Sequence, residues 1–210
     1  METAFEEVLA KTRKLVWPVV DSNLEDPKFP SSFAIPAKYQ NLQKLNWKII
    51  REYPERKGKY GRAALVLLTV GALGGLVKKA INTAAAMQVS EDWLLIHDDF
   101  EDDSEKRRGG PTLHRMYGEE LAVNAGDFLQ VLMWKILFDN RKILGPDKTF
   151  LIMEEFYKML VRTCHGQAVE IIWTKENKAN LTDKDWFFIA DGKTSYYTIA
   201  TPMRLGAIIA

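Results

Sequence analysis

The chain has 210 residues, of which 47% are hydrophobic and 27% charged, a balance typical of a globular domain with a sizeable core. Its formal net charge of +1 gives no electrostatic argument for a nucleic-acid partner. The single cysteine, Cys164, excludes an intramolecular disulfide framework and suits a reducing compartment. The acidic N-terminus is unlike a secretory signal, and the longest uncharged run, residues 63–77, is too short for a membrane span.

The spacing of apolar residues predicts helices along most of the chain. In chain order they cover residues 3–16, 38–51, 63–77, 81–103, 118–137, 149–173 and 186–210. We expect the first helix to stop near Pro18 and a proline-rich loop to fill residues 21–36. Strand alternation is scarce and no internal repeat is visible. The sequence therefore predicts a single all-α domain over residues 1–210, a bundle of helices.

The fourth predicted helix ends in an acidic cluster, Asp98-Asp99-Phe100-Glu101-Asp102-Asp103. Residues four apart share a helix face, so Asp98 and Asp102 project side by side, as do Asp99 and Asp103. These like charges repel one another, and a divalent cation would give a reason for tolerating them. Carboxylate oxygens suit Mg²⁺, which is held by one or two carboxylates together with substrate phosphates. A solvated acidic helix end is the alternative interpretation of the same pattern.

Arginine and lysine residues lie on both sides of this cluster in the sequence. Arg107 and Arg108 come directly after the acids, on a segment broken by Gly109-Gly110-Pro111. Acids for a metal with arginines beside them indicate a diphosphate site, because guanidinium groups bind phosphate oxygens in pairs. Upstream, Lys57, Lys59 and Arg62 surround a glycine turn before a helix start, a place suited to a second anion.

These residues resemble the motifs of the trans-isoprenyl diphosphate synthases. The acidic cluster with Arg107-Arg108-Gly109 is similar to the first aspartate-rich motif and the RRG that follows it. Residues 58–62 (Gly-Lys-Tyr-Gly-Arg) resemble the motif that holds isopentenyl diphosphate, and Gly166-Gln167 with Glu170 resembles a third motif with glutamate in place of aspartate. Lys193-Thr194 and residues 204–207 complete the series in the order and spacing of the family.

The resemblance implies an Mg²⁺-dependent prenyltransferase with the isoprenoid synthase fold. Its substrates would be isopentenyl diphosphate and an allylic diphosphate (dimethylallyl, geranyl or farnesyl), and it would be a cytoplasmic homodimer. Mg²⁺ would be held by Asp98 and Asp102, with Asp99 in the same cluster. Isopentenyl diphosphate would be bound by Gly58, Lys59, Arg62 and Arg108. The allylic diphosphate would be bound by Arg107, Lys193, Thr194 and Gln167. Asp98, Asp102, Arg107 and Lys193 would be the catalytic residues.

Two features depart from the family pattern. Glu91 stands where a histidine or glutamine commonly contacts isopentenyl diphosphate, and a carboxylate there would repel the substrate unless it is protonated or paired with a cation. The family's second aspartate-rich motif lies downstream of the Lys193-Thr194 pair, beyond Ala210, so we expect the chain to be C-terminally incomplete. A non-catalytic subunit that binds and modulates an active synthase is therefore the alternative.

In the family, bulky residues four and five positions before the first motif aspartate form the floor of the pocket for the growing chain. These positions are Leu94 and Trp93. If Trp93 is the floor, its indole leaves room for only a few isoprene units, and the resemblance implies farnesyl or geranylgeranyl diphosphate as product. The alternative role of Trp93 is that of a core aromatic residue.

Overall fold

The computed structural model describes residues 3–25 and 34–210, and helices dominate both ranges. The α-helices are α1 (Ala4–Asn23), α2 (Gln40–Glu55), α3 (Gly61–Ala72), α4 (Ile81–Glu101), α5 (Leu113–Tyr117), α6 (Glu119–Asp139), α7 (Arg141–Leu144), α8 (Pro146–Lys175), α9 (Asp183–Ile189) and α10 (Thr201–Ile209). A π-helix covers Ala190–Ala200, and short 3₁₀-helices cover Ala37–Tyr39 and Val77–Ala80. The all-α prediction is confirmed.

The predicted break after α4 is a small antiparallel hairpin. Strand β1 (Lys106–Arg107) pairs with β2 (Gly110–Pro111), and Gly109 adopts a φ of 81° at the turn. Glycine reaches this left-handed conformation without a side-chain clash. The hairpin reverses the chain directly after the acidic cluster and so fixes where both arginines of the motif lie.

Two element boundaries were predicted wrongly. Helix α1 does not stop near Pro18 but continues to Asn23. The reason is burial: Val16, Val20 and Leu24 are spaced four apart on a face with at most 2% exposure, and its packing outweighs the hydrogen bond lost at Pro18. Helix α3 ends at Ala72 rather than at residue 77. Residues 26–33 of the predicted loop lie outside the described residues.

The chain divides into two compact units. The first unit comprises Met1–Tyr60 and Ala85–Ile136, and its core includes Val16, Ile50 and Met87 at 0% exposure. On α6, a Cβ added to Gly126 would lie 2.3 Å from the ring of His97 on α4, so the glycine leaves room for this imidazole.

The second unit comprises Gly61–Ala84 and Leu137–Ala210. Helix α10 packs on α3 at Gly206, where an added Cβ would lie 2.5 Å from the Cβ of Thr69. The π-helix packs on α8, and an added Cβ at Gly166 would lie 2.7 Å from the backbone nitrogen of Lys193. These close backbone contacts position the segment that carries Lys193.

By length and composition, one stretch of the described residues, Glu119–Leu144, would be able to cross a bilayer. Its side chains Ala125, Leu129 and Met133 have 0% exposure and pack in the protein interior. Core helices of globular proteins pass the same test of length and composition.

Candidate functional site

The acidic cluster lies at the C-terminal end of α4 as predicted. The backbone N–H of Asp102 donates to the carbonyl of Asp98 at 2.8 Å, so the helical turn continues through both residues. Asp98 and Asp102 therefore stand one turn apart on the same face. The side chain of Asp98 is 23% exposed, and Asp102 is exposed.

Asp99 points the other way, into the first unit, and is fully buried. Its Oδ2 accepts a hydrogen bond from the Tyr53 hydroxyl at 2.5 Å, and its Oδ1 accepts from Arg107 Nε at 2.9 Å. Burial, together with this contact to Asp99, raises the pKa of Tyr53. Because both carboxylate oxygens accept from protein donors, Asp99 fits a supporting role beside a metal better than that of a direct ligand.

Arg107, on the hairpin, contacts the acidic cluster at the end of α4. Its Nη2 also contacts Asp99 and lies 3.4 Å from Asp98 Oδ2. The hydrogen bonds to Asp99 raise the pKa of Arg107 despite its partial burial. Arg56, directly after α2, holds the hairpin in place, since its Nη1 donates to the carbonyls of Arg107 at 3.0 Å and Pro111 at 2.7 Å.

Arg108 points into the first unit, with 12% of its side chain exposed and a φ of 50°. Its Nη1 donates to Asp92 Oδ1 at 2.7 Å and to the carbonyl of Tyr53 at 2.9 Å. Its Nη2 donates to Glu91 Oε1 at 3.3 Å. Glu91 is thus paired with a cation, which was one of the two conditions under which a carboxylate would be tolerated at its position.

The same pairing changes what is expected of Arg108 and Asp92. Burial raises the pKa of Asp92 to about 7, and the nearby Arg108 guanidinium opposes that rise. Two carboxylates already share the charge of Arg108, so less of it remains for an anion. In the first unit, Lys59 is therefore better placed than Arg108 to bind an anion.

Lys59 lies in a turn between α2 and α3. Lys57 and Tyr60 adopt φ values of 48° and 63°, and Gly58 is buried with its Cα against Arg108: an added Cβ would lie 2.7 Å from Nη2. The Lys59 side chain is exposed and pairs with no other residue in the ranges 3–25 and 34–210. It is available to an anion.

The second unit brings two of the predicted motifs together. Lys193 Nζ donates to Glu170 Oε2 at 2.6 Å, linking the π-helix to α8. Gln167 is half-buried one turn from Glu170, and Thr194 is exposed. A π-helical segment in a helix is frequently found at functional sites. Separately, Arg62 on α3 donates from Nη2 to Thr198 Oγ1 at 3.1 Å, with its guanidinium 4.1 Å from the centre of the Tyr197 ring.

The two residues expected to limit chain length differ in exposure. Trp93 is 4% exposed and stands edge-on to His97, with ring centres 5.7 Å apart, whereas Leu94 is half-buried. His97 in turn contacts the carbonyl of Val123 through Nε2 at 3.2 Å.

Several partners in this site were not predicted, among them Tyr53, Arg56 and Asp92. Tyr53 meets Asp99 across 46 residues, and Arg56 meets Arg107 across 51. Such pairs depend on contacts between segments that are distant in the sequence, and no local pattern predicts them. Glu91 beside Asp92 was a partial signal, since two adjacent acids in an apolar helix require a cation.

The residues present fit an Mg²⁺ ion that is shared with a diphosphate. Among the described residues, no three of the types His, Cys, Asp and Glu are grouped closely enough to hold a metal by themselves. Asp98 and Asp102 supply two oxygen-donor side chains on one face, which is what Mg²⁺ takes from a protein when substrate phosphates and water complete its coordination.

Comparisons with known proteins show which family the chain belongs to. The family model described as polyprenyl synthetase matches residues 43–210, and the chain therefore belongs to the polyprenyl synthetase family. The geranylgeranyl diphosphate synthase of Saccharolobus solfataricus is 28% identical over 176 residues, which are 82% of this chain and 52% of that protein. The short chain isoprenyl diphosphate synthase of Methanothermobacter thermautotrophicus is 32% identical over 72% of this chain and 45% of its own length.

The fold is also found in solved structures. The crystal structure of geranylgeranyl pyrophosphate synthetase from Pyrococcus horikoshii superposes with a TM-score of 0.83 at 27% identity, covering 99% of this chain and 58% of that chain. The all-α isoprenoid synthase fold is therefore established. The chain spans about half the length of the curated relatives that it matches.

Proposed function

We propose that this protein is a trans-prenyltransferase that condenses isopentenyl diphosphate with an allylic diphosphate to make a short-chain prenyl diphosphate. The observation that carries this is the end of α4, where Asp98 and Asp102 share one face and the hairpin places Arg107 3.4 Å from Asp98. Two carboxylates with a guanidinium beside them match the charges of a metal-bound diphosphate. The curated relatives named above are isoprenyl diphosphate synthases.

In this proposal Asp98 and Asp102 hold Mg²⁺, and Asp99 holds Arg107 in place beside them. Bound there, the ion would neutralise negative charge on the oxygens of the allylic diphosphate. Arg107 contributes a second positive charge at the same place, where the leaving diphosphate gains charge as its bond to carbon breaks. The double bond of isopentenyl diphosphate then forms the new carbon–carbon bond, and loss of a proton completes the reaction. No side-chain nucleophile is required.

The other assigned residues keep their proposed roles, with one shift in emphasis. Lys59, with Gly58 shaping its turn, and Arg62 would bind isopentenyl diphosphate, while Arg108 serves mainly to hold Glu91 and Asp92. Lys193, Thr194 and Gln167 would bind the allylic diphosphate. Glu170 orients the Lys193 ammonium group by the contact of 2.6 Å and so restricts where that charge can lie.

The test is product formation. The purified protein is incubated with Mg²⁺, isopentenyl diphosphate and, in turn, dimethylallyl, geranyl and farnesyl diphosphate, and the products are separated by chromatography. We expect a prenyl diphosphate longer than the allylic substrate. This product should be absent when EDTA is added, and the Asp98→Asn variant should not form it. Lys59→Gln should raise the KM for isopentenyl diphosphate about tenfold or more, as expected for a lost charge-assisted contact, and leave the KM for the allylic substrate nearly unchanged.

The alternative is a non-catalytic subunit that modulates an active synthase. One observation favours it: Arg108 is paired with Asp92 and Glu91, which leaves less of its charge for isopentenyl diphosphate. Binding of isopentenyl diphosphate without turnover, and stimulation of a second synthase on mixing, would support it.

We also propose a cytoplasmic homodimer, on the strength of the family resemblance. Helix α8 carries large apolar side chains on its exposed surface, among them Phe150 at 67% and Tyr157 at 62% exposure. Sedimentation velocity of the purified protein measures its mass, and a monomer at micromolar concentration would contradict the dimer.

A further inference from the structure

We propose that helix α1 positions the turn that carries Lys59, and that Arg13 and Trp17 are the positioning residues. This inference rests on the proposed role of Lys59 in binding the diphosphate of isopentenyl diphosphate. It assigns a function to a helix that lies outside the part of the chain matched by the family model, residues 43–210.

Arg13 and Trp17 are four residues apart on α1 and so present their side chains on one face. Arg13 Nη2 donates to the carbonyl of Gly58 at 3.2 Å, and the Arg13 guanidinium lies 5.7 Å from the centre of the Tyr60 ring. The ammonium group of Lys57 lies 4.6 Å from the centre of the Trp17 ring, within the range of a cation–π contact.

The two side chains thus contact three of the four residues of the turn 57–60. The fourth, Lys59, is the residue whose side chain is exposed and pairs with no other residue of the described ranges. Gly58 and Tyr60 on either side of it are buried. Arg13 and Trp17 therefore hold the residues on either side of Lys59 and leave its side chain available. These contacts fix the backbone from which the Lys59 ammonium group extends.

The conformation of the turn explains why it needs such contacts. Lys57 and Tyr60 adopt φ values of 48° and 63°, a region in which a residue with a Cβ is disfavoured. A non-glycine residue stays there only when its surroundings hold it. The Arg108 guanidinium also lies close to Gly58, where an added Cβ would be 2.7 Å from its Nη2. Arg13 and Arg108 therefore both lie against Gly58, and all of these residues belong to the first unit.

The experiment combines binding with hydrogen exchange in the full chain. The variants are Arg13→Gln, Trp17→Leu and the conservative Arg13→Lys. Lys14→Gln is the matched control, because Lys14 is an exposed neighbour on α1 and its replacement changes the net charge by the same amount. Calorimetry measures the Kd for isopentenyl diphosphate, and mass spectrometry follows amide exchange in peptides covering residues 53–62.

We expect Arg13→Gln and Trp17→Leu to speed exchange at residues 57–60 and to weaken the Kd about tenfold, the effect of misplacing one charge-assisted contact. Exchange elsewhere in the first unit should not change. Arg13→Lys still reaches the Gly58 carbonyl with a donor and should restore most of both properties. Lys14→Gln should match the wild type.

Other outcomes overturn the proposal. A weaker Kd with unchanged exchange would mean that Arg13 meets the ligand directly. Faster exchange throughout the first unit would mean that α1 only stabilises the fold, and no change in either measurement would remove its role altogether. If the wild type binds no isopentenyl diphosphate, the proposed function fails, while the exchange data still decide whether α1 holds the turn.

Discussion

The Tyr53 hydroxyl donates a hydrogen bond of 2.5 Å to Asp99 Oδ2 inside the first unit. This contact joins α2 to the end of α4 and, through Asp99, to Arg107 on the hairpin. Asp99 therefore belongs to the framework of the site, although it stands in the middle of the motif that is proposed to bind metal. The neighbouring Asp98 faces the solvent side of the same helix end.

Tyr53→Phe removes this hydrogen bond and leaves a buried carboxylate with Arg107 as its remaining partner. We expect the free energy of unfolding to fall by about 1–3 kcal/mol, the range for a lost hydrogen bond to a charged buried group. Tyr117→Phe is the control, because its hydroxyl donates to Glu52 at 2.9 Å in a half-buried position and its loss should cost less. Urea unfolding measures both, and equal losses would contradict the framework role of Tyr53.

Asp98→Asn and Asp99→Asn separate the metal from the framework. Asp98→Asn should abolish Mg²⁺-dependent diphosphate binding and change stability little, because its side chain is partly exposed. Asp99→Asn weakens a buried ion pair with Arg107, so we expect a loss of about 1–3 kcal/mol in the free energy of unfolding. Calorimetric titration and urea unfolding are performed on both variants. The reverse assignment of the two effects would make Asp99 the metal ligand.

The helices and the order of the motifs could be recognised in the sequence, because both depend on residues that are close together in the chain. No knowledge of contacts between distant residues is needed to recognise the acidic cluster, the break at Gly109-Gly110-Pro111 or the helical spacing of Asp98 and Asp102. The features that could not be predicted depend on packing between distant segments. The continuation of α1 through Pro18 depends on the burial of Val16 and Val20, and the pairing of Arg108 with Asp92 spans 16 residues.

The exposure of individual residues was predicted less well than their helical state. The spacing of Leu42, Leu45, Ile49 and Ile50 predicts that they share one apolar side of α2. Ile49 and Ile50 are buried, whereas Leu42 and Leu45 are 63% and 46% exposed. Periodicity identifies an apolar face, but the extent to which that face is covered depends on which other segments reach it.

Asp92 predicts a pH dependence of stability. Burial raises its pKa in the folded protein to about 7, from an ordinary value of 3.8. Between these two pH values the folded state holds a proton that the unfolded state has lost, so the Asp92 contribution to stability falls as pH rises from about 4 to about 7. Above about 7 the contribution is constant, because both states are then ionised.

Asp92→Asn removes this group and keeps its shape. The difference in unfolding free energy between wild type and Asp92→Asn should therefore shift against the wild type from pH 5 to pH 8, by on the order of 1 kcal/mol. The groups that face Asp92 are Gln88, Glu91, Arg108 and Tyr60. Urea titrations at four pH values give the difference. A difference that does not vary with pH would show that Arg108 keeps Asp92 ionised throughout.

Trp93 is the residue that the family resemblance connects to product length. The indole is 4% exposed and stands edge-on to His97 on α4. Five residues of helix separate Trp93 from Asp98, a rise of about 7.5 Å. If the allylic diphosphate binds at Asp98, the resemblance implies that a side chain at this depth limits the length of the growing prenyl chain.

Trp93→Ala should therefore shift the products toward longer prenyl diphosphates, because it opens a cavity where the indole stood, and it should cost about 3–5 kcal/mol of stability. Trp93→Leu removes less volume and should shift the products less. The matched control is Trp47→Ala, which deletes an aromatic residue that packs edge-on against Phe128 at 5.1 Å in the same unit. It should lower stability without changing chain length. Chromatography of the products compares all three with the wild type. An unchanged distribution from a folded Trp93→Ala protein would place the floor elsewhere, and the half-buried Leu94 would be the next residue to replace.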